Sequence, residues 1–180
     1  MPGMPNMHVP LSIATKAGGT VYLSGMQGMD MKTMKLVSGG VEAETTQNLA
    51  NIDKVLGIAG SRPHLVLGCE VALRDIKDFD KMNAAYAAFF RSKGVLRAGL
   101  PTRVAVQVAG LAGPASVEIR CLAAESTRLM PKAVTVPSWP ALPYPFSTAV
   151  QVKGMLYNML YISGMQGFDM KTQKLVSGGV

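Results

Sequence analysis

Residues 21–41 read VYLSGMQGMDMKTMKLVSGGV, and residues 160–180 read LYISGMQGFDMKTQKLVSGGV, the same 21 residues with four differences. A repeat decides how many cores a chain can build, so it comes before any placing of elements. Here it allows one core. About fifty residues follow Met130, whereas the first copy needs about 120 to complete its pattern. The expected organisation is a complete unit over residues 8–126, a connector over 127–136, and a partial second copy over 137–180 that holds N-terminal strands only. Two readings of that tail stay open: a gene that continues beyond this sequence, or a tail that packs as a partial repeat.

A unit of about 120 residues buries roughly two-thirds of its unfolded surface, enough for a self-standing fold. Hydrophobic residues make up 48% of the chain and charged residues 16%, a globular balance rather than a disordered one. No apolar run approaches the roughly 20 residues that span a bilayer. The N-terminus, MPGMPNMHVPL, shows neither a basic n-region with an apolar h-region nor an Arg-rich amphipathic pattern, so a cytoplasmic location is the expectation. Cys69 and Cys121 lie in apolar, strand-like runs without a Cys-x-x-Cys pair or a neighbouring His, and are read as buried free thiols. The net charge of +7 admits an anionic partner such as nucleic acid. The 18 Lys and Arg residues are scattered, with no basic run and no interleaved aromatics to stack bases, which argues against a strong nucleic-acid role.

Gly18 and Gly19 precede a β-rich run over 20–24, and the GMDMKTMK segment behind it has turn character. Leu49, Ile52, Val55, Leu56 and Ala59 recur at helical spacing within 42–59, with Gly60 as the C-terminal cap. Residues 65–73 are almost continuously apolar, the pattern of a strand covered on both faces. Phe79, Met82, Tyr86, Phe89 and Phe90 mark a second helix that stops before Gly94. Residues 102–108 and 117–124 read as strands joined by a loop with Gly110, Gly113 and Pro114. The order β, α, β, α, β, β, with room for one strand before Val21, predicts an α+β sandwich with both helices on one sheet face. The other face is left open, which predicts that copies of the chain pack around it as a homo-oligomer.

In TRVAVQV, alternation sends Val104, Val106 and Val108 to one face and Arg103, Ala105 and Gln107 to the other. The valines are assigned to the core. In the next strand Val117, Ile119 and Cys121 take the core side, so Glu118 is expected to share the non-core face with Arg103. An arginine beside small residues presents its forked guanidinium to a ligand carboxylate, and a nearby glutamate orients or deprotonates a water. From spacing alone the plainer reading is preferred, a cross-strand salt bridge contributing about 0–1 kcal/mol when exposed.

The segments YLSGMQGMDMKTMKLVSGGVEAETTQNLANI, DFDKMNAAYAAFF, LPTRVAVQVAGL and VEIRCLA follow in order across residues 21–124, and they resemble the RidA/YjgF family of reactive intermediate deaminases. The most specific part, Pro101-Thr102-Arg103 followed by Val117-Glu118-Ile119, resembles the family signature and turns the reading of Arg103 and Glu118 from salt bridge to site. The resemblance implies a chorismate-mutase-like α+β fold and a homotrimer with sites in clefts between subunits. It implies hydrolysis of 2-iminobutanoate and 2-iminopropanoate, imines released by pyridoxal-phosphate enzymes, to 2-keto acids and ammonia without cofactor or metal. Under it, Arg103 holds the substrate carboxylate and Glu118 positions the attacking water. Backbone groups at Gly25 and Ala105, with Ser24 beside them, meet the carboxylate and the imine nitrogen, and Asn83 matches an Asn of the family's second helix. Some members are assigned ribonuclease activity, so an RNA-acting, translation-inhibiting protein is the alternative, and a ligand-binding trimer without turnover is a third reading.

Leu11 stands where many members have Tyr, and Met26 where Gln is common, while Ala105 is within the family's range. PSWPALPYPFSTAVQV, residues 137–152, resembles the N-terminal approach of such a domain, with Phe146 where Tyr is common. The second copy has no equivalent of the first helix, Arg103 or Glu118, so it is expected to hold no site of its own and to be unstable alone. The methionines of MPGMPNMH and GMQGMDMKTM are spaced as Cu(I) ligands could be, but Phe168 and Gln173 replace Met29 and Met34 in the second copy, and copper is set aside. His8 and His64 are isolated, and no phosphate-cradling Gly loop is present.

Overall fold

The structure, a computed structural model, describes residues 10–96, 99–140, 143–154, 158–172 and 174–178. His8, Gln173 and Val180, named above, lie outside the described residues. β1 (Ala14–Ala17) and β2 (Thr20–Leu23) form a hairpin, and β3 (Met26–Gln27) continues the line of β2 after a break at Ser24 and Gly25. β4 (Met29–Asp30) and β5 (Lys35–Leu36) close a small second hairpin where a turn was expected. Then come α1 (Gly40–Ile58), β6 (Val66–Leu73), α2 (Phe79–Ser92), β7 (Thr102–Gln107) and β8 (Val117–Ala124). The sheet order is β1-β2-β8-β6-β7, with β3 also on β8; β6 and β7 are parallel and the other pairs antiparallel.

Both helices cover one face of this sheet. Val71, Leu73, Val117 and Ile119 of the strands meet Leu49, Ile52, Tyr86 and Phe90 of the helices in one buried cluster. Full burial of side chains of this size stabilises by about 1.5–3 kcal/mol each. The chain enters α1 through Gly39 at φ 117° and leaves it through Gly60 at φ 81°, conformations that only glycine adopts without strain. On its sheet-facing side α1 is also polar. Asn48 Nδ2 donates to Met26 O, and Asn51 Nδ2 donates to Met29 O at 2.8 Å. The buried carboxylate of Glu44 accepts from Ser116 N at 2.7 Å and Ser116 Oγ at 2.9 Å. Those bonds fix the segment after Gly25 and the loop before Glu118 to one helix.

Two expectations about the strands are corrected. Cys69 and Cys121 form a disulfide rather than free thiols, because β6 and β8 pair with these residues directly opposite and their Cα atoms 4.1 Å apart. Arg103, not Val104, faces the helices. Register sets Arg103 beside Cys69 and Ala105 beside Val71, both of which belong to the core, whereas Val106 is exposed on the other face. Alternation fixes which residues share a face but not which face is buried. Here α2 supplies rings that receive the guanidinium, and the valines turn away.

The face expected to be open is covered in part by the chain itself. β9 (Lys132–Val134), β10 (Ala149–Lys153) and β11 (Asn158–Ile162) form a three-stranded antiparallel sheet, so the stretch expected as a connector contributes a strand. Val150, Val152 and Tyr161 pack with Leu65, Leu67, Leu122 and Ala124. β12 (Phe168–Asp169) and β13 (Lys174–Leu175) then repeat the β4–β5 hairpin in register. Asp30 Oδ1 and Asp169 Oδ1 each accept from the backbone N–H groups two and three residues ahead. Among the described residues no helix is long and apolar enough to cross a membrane.

Candidate active site

Arg103 lies near the start of β7, the edge strand of the main sheet, and points under α2. Phe79, Met82 and Tyr86 share one helix face at i, i+3 and i+7. All three touch its guanidinium, whose carbon is 4.9 Å from the Tyr86 ring centre and 5.7 Å from that of Phe79, with Nη1 3.9 Å from Met82 Sδ. A third ring comes from the tail, Phe146 at 5.1 Å. Desolvated cation–π contacts contribute about 0.5–2 kcal/mol each.

Arg103 is 3% exposed, and among the described residues its Nε has no hydrogen-bond partner and no carboxylate pairs with it. Burial lowers its pKa from the ordinary value, with Tyr86 acting in the opposite sense. The ordinary value is so far above neutrality that the group stays cationic. Burial likewise pushes the Tyr86 hydroxyl far above its usual range. Tyr86 Oη and Asn83 Oδ1 are buried without partners among the described residues, and Asn83 sits one turn before Tyr86 on α2. A buried cation with an unused N–H, set under the helix that carries two unused polar oxygens, is suited to a small carboxylate.

Glu118 lies on the opposite face of the sheet. It is registered with Ala72 and, through Ala72, with Val106, while Arg103 is registered with Cys69 and Cys121. The expectation that Arg103 and Glu118 share a face is therefore wrong within one chain, because the valine face and the core face of β7 are exchanged. The cross-strand ion pair on the Glu118 side is instead Arg120 with Glu70, two bonds of 2.7 Å, with both side chains exposed. A cleft of about 160 Å³ is lined by Glu70, Arg120, Leu122 and Tyr161, and at its β7 edge by Thr102 and Arg103. Of its two arginines Arg120 is already satisfied by Glu70, which leaves Arg103 as the candidate.

The Glu118 carboxylate is held by its neighbours. Gln27 Nε2 donates to Glu118 Oε2 at 3.2 Å and to Ala112 O at 2.8 Å. Gly25 approaches so closely that a Cβ there would collide with Glu118 Oε1. From Tyr22 to Met26 the chain takes four steps, against three from Leu122 to Ile119 on β8, so Ser24 and Gly25 lie in a one-residue bulge. Ser24 Oγ donates to Ser12 O at 2.6 Å and Ser24 N to Ile13 O at 2.9 Å, which fixes the bulge. Gly25 and Leu11 are exposed, whereas the Met26 side chain packs on the core.

The expected site residues thus fall into two groups. Ser24, Gly25 and Glu118 stand together, and Arg103, Ala105 and Asn83 belong to the other side. Missed at the sequence level were the cage of Phe79, Tyr86 and Phe146, and the Gln27 contact to Glu118. The i, i+7 spacing of two aromatics ahead of a strand arginine is the signal that could have found the first two.

The Endoribonuclease L-PSP family model matches residues 3–125. Human 2-iminobutanoate/2-iminopropanoate deaminase is 39% identical over 114 residues, which are 63% of this chain and 79% of the human protein. RidA from an Antarctic Psychrobacter bacterium superposes with a TM-score of 0.60 at 35% identity, over 67% of this chain and 93% of that one. TdcF of E. coli, solved with bound serine, gives 0.63 at 26% identity, over 68% and 94%. With the match extending over more than half its length and the fold shared, the chain belongs to the Endoribonuclease L-PSP family, the RidA/YjgF proteins.

Proposed function

We propose that this chain hydrolyses small reactive 2-imino acids, 2-iminobutanoate and 2-iminopropanoate, to 2-keto acids and ammonia. The observation that carries the reading is Arg103, a buried cation with an unused Nε–H and no carboxylate partner among the described residues. The deaminase names of relatives 36–39% identical support it, as does the serine bound by TdcF, itself a small carboxylate. In the reaction water adds to the imine carbon, protons pass to nitrogen, and the C–N bond breaks to release ammonia. Arg103 holds the substrate carboxylate, and a charge-assisted contact of this kind contributes about 1.5–3 kcal/mol, or roughly 10- to 150-fold. The rest is placement of water. Since Arg103 and Glu118 occupy opposite faces of one chain, the water-positioning Glu118 comes from a second copy. The Phe146 ring covers the guanidinium, so substrate reaches Arg103 when that ring moves aside.

The test is ammonia release from 2-iminobutanoate generated in situ, corrected for spontaneous hydrolysis, for the chain and Arg103→Ala at equal concentration. A loss of about tenfold or more is expected of the variant. Rates equal to the spontaneous one in both, with 2-oxobutanoate bound only by the parent, would replace hydrolysis by ligand binding without turnover, a reading the separation of Arg103 from Glu118 favours. The family's description and the net charge of +7 favour RNA as a further substrate class. Salt-sensitive RNA binding that survives Arg103→Ala would support that one.

A further inference from the structure

The second copy keeps the shape of the first but not its cover. β10 and β11 pair in the register of β1 and β2, with Ile162 opposite Ala149 as Leu23 is opposite Ala14. Val176 N donates to Gly167 O at 2.8 Å, as Val37 N does to Gly28 O at 2.9 Å. Gly178 has φ 121° where Gly39, at the entry to α1, has φ 117°. The match stops at burial. Val21 and Leu23 are 0% and 5% exposed, whereas their counterparts Leu160 and Ile162 are 54% and 59% exposed. Met165, Phe168, Leu175 and Val176 are likewise exposed where Met26, Met29, Leu36 and Val37 are half-buried. Tyr161 packs toward the main sheet with Val150 and Val152, and alternation along β11 turns its neighbours Leu160 and Ile162 to the opposite side.

In the first copy the element that closes this face is α1. It packs on β3 and β4, and Asn48 and Asn51, three residues apart on its sheet-facing side, donate to Met26 O and Met29 O. Gly28 marks the closest approach, since a Cβ there would lie 2.5 Å from Glu44 Cα. A Cβ on Gly167, its counterpart, meets nothing within 4 Å, so the second copy keeps the clearance with no helix in it. Six apolar side chains exposed together on one small unit mark an interaction surface rather than scattered surface residues. We propose that this face of the tail is a docking surface for an amphipathic helix of a partner protein, seated as α1 is seated on the first copy. The partner helix is defined by what α1 offers: apolar residues spaced as Leu49 and Ile52 are, two side-chain amides spaced as Asn48 and Asn51 are to reach Met165 O and Phe168 O, and backbone close against Gly167. This is recognition of a helix by its apolar face. Phe168, where the first copy has Met29, adds a ring to the surface. The α1 of a second copy is not the occupant, because its apolar face is held in its own core. The surface contains neither Arg103 nor Glu118, so it stands apart from the proposed reaction.

The experiment titrates the full chain into a fluorescent peptide of residues 38–60 and reads anisotropy. The peptide carries Thr46→Lys so that a lactam to Glu42, on the exposed side of α1, holds it helical. Saturable binding is expected of the parent. Gly167→Val is expected to weaken it about tenfold or more and to leave the urea midpoint unchanged, because the new side chain fills space that is open in the free chain and taken by the helix in the complex. Leu160→Lys, at an exposed position, is expected to weaken binding in the same way. A peptide with Asn48→Ala and Asn51→Ala should bind several-fold more weakly. No binding by the parent, or equal binding by the parent and Gly167→Val, overturns the proposal, and unchanged affinity of the doubly substituted peptide overturns the α1-like seat. Failure of the peptide to bind, together with a mass in solution that falls in Gly167→Val, would assign the face to a second copy and overturn the proposal as well. Should Gly167→Val not fold, Leu160→Lys decides by the same comparison. Peptide binding does not depend on imine hydrolysis, so an inactive parent that binds the peptide refutes the functional reading alone.

Discussion

Arg103 and Glu118 project from opposite faces of one sheet, with β6 between their strands. A chain therefore carries each half of the expected pair on a different surface, and the proposed reaction requires a second copy to join them. Arg103→Ala and Glu118→Ala are each expected to be inactive alone and to recover activity when mixed. In a randomly assembled ring about a quarter of the interfaces combine an intact Arg103 with an intact Glu118. Ammonia release before and after mixing reads this directly. No recovery after demonstrated subunit exchange would exclude a pair formed between copies.

Phe146 lies over the Arg103 guanidinium and helps leave it 3% exposed. Phe146→Ala removes one cation–π contact of about 0.5–2 kcal/mol and uncovers the group. Arg103 should then react several-fold faster with an arginine-selective dicarbonyl reagent, as counted by peptide mass spectrometry. Equal rates in parent and variant would mean that Phe146 does not control access.

The Cys69–Cys121 bond joins residues 52 apart in sequence. Cross-links of this loop size stabilise by roughly 2–4 kcal/mol, largely by restricting the unfolded chain. A reducing agent, or the pair Cys69→Ala and Cys121→Ala, should lower the urea midpoint accordingly. An unchanged midpoint under reduction would indicate that the two thiols are not joined in the purified protein.

Gly28 packs on the backbone of α1, where a Cβ would lie 2.5 Å from Glu44 Cα and 2.6 Å from Glu44 O. Neither atom can yield without moving the helix that holds Met26, Met29 and Ser116. Gly28→Ala is expected to destabilise by about 1–3 kcal/mol. Gly57→Ala, inside α1 with nothing within 4 Å of the new methyl, is expected to stabilise by about 0.4–1 kcal/mol. Urea denaturation of the two variants tests both signs, and a tolerated Gly28→Ala would show that the α1 contact is looser than its distances imply.

The elements were legible because each is decided by spacing over a few residues. The helix read over 42–59 is Gly40–Ile58, the aromatic-marked helix is Phe79–Ser92, and residues 117–124 form β8 as read. Leu49, Ile52 and Val55 repeat at helical period, so their shared face was available without a partner in view. The inward side of β8 was legible too, since Val117, Ile119 and Cys121 are all buried there. Resemblance added the arrangement of sheet and helices, which the family match and the shared fold support.

By itself, then, the sequence determined the period of each element, the repeat, and the membership of the fold. The tertiary structure alone decided which face of β7 meets α2, that Cys69 stands opposite Cys121, and that the tail sits on Arg103. Periodicity is a local property: it sorts side chains into two sets but cannot say which set is buried until another element arrives. The guanidinium goes inward because Phe79 and Tyr86 come over it, and the backbone of Arg103 is occupied because Ser163 and Gly164 reach it from far along the chain. Register between distant segments is set by packing, which no short window of sequence contains.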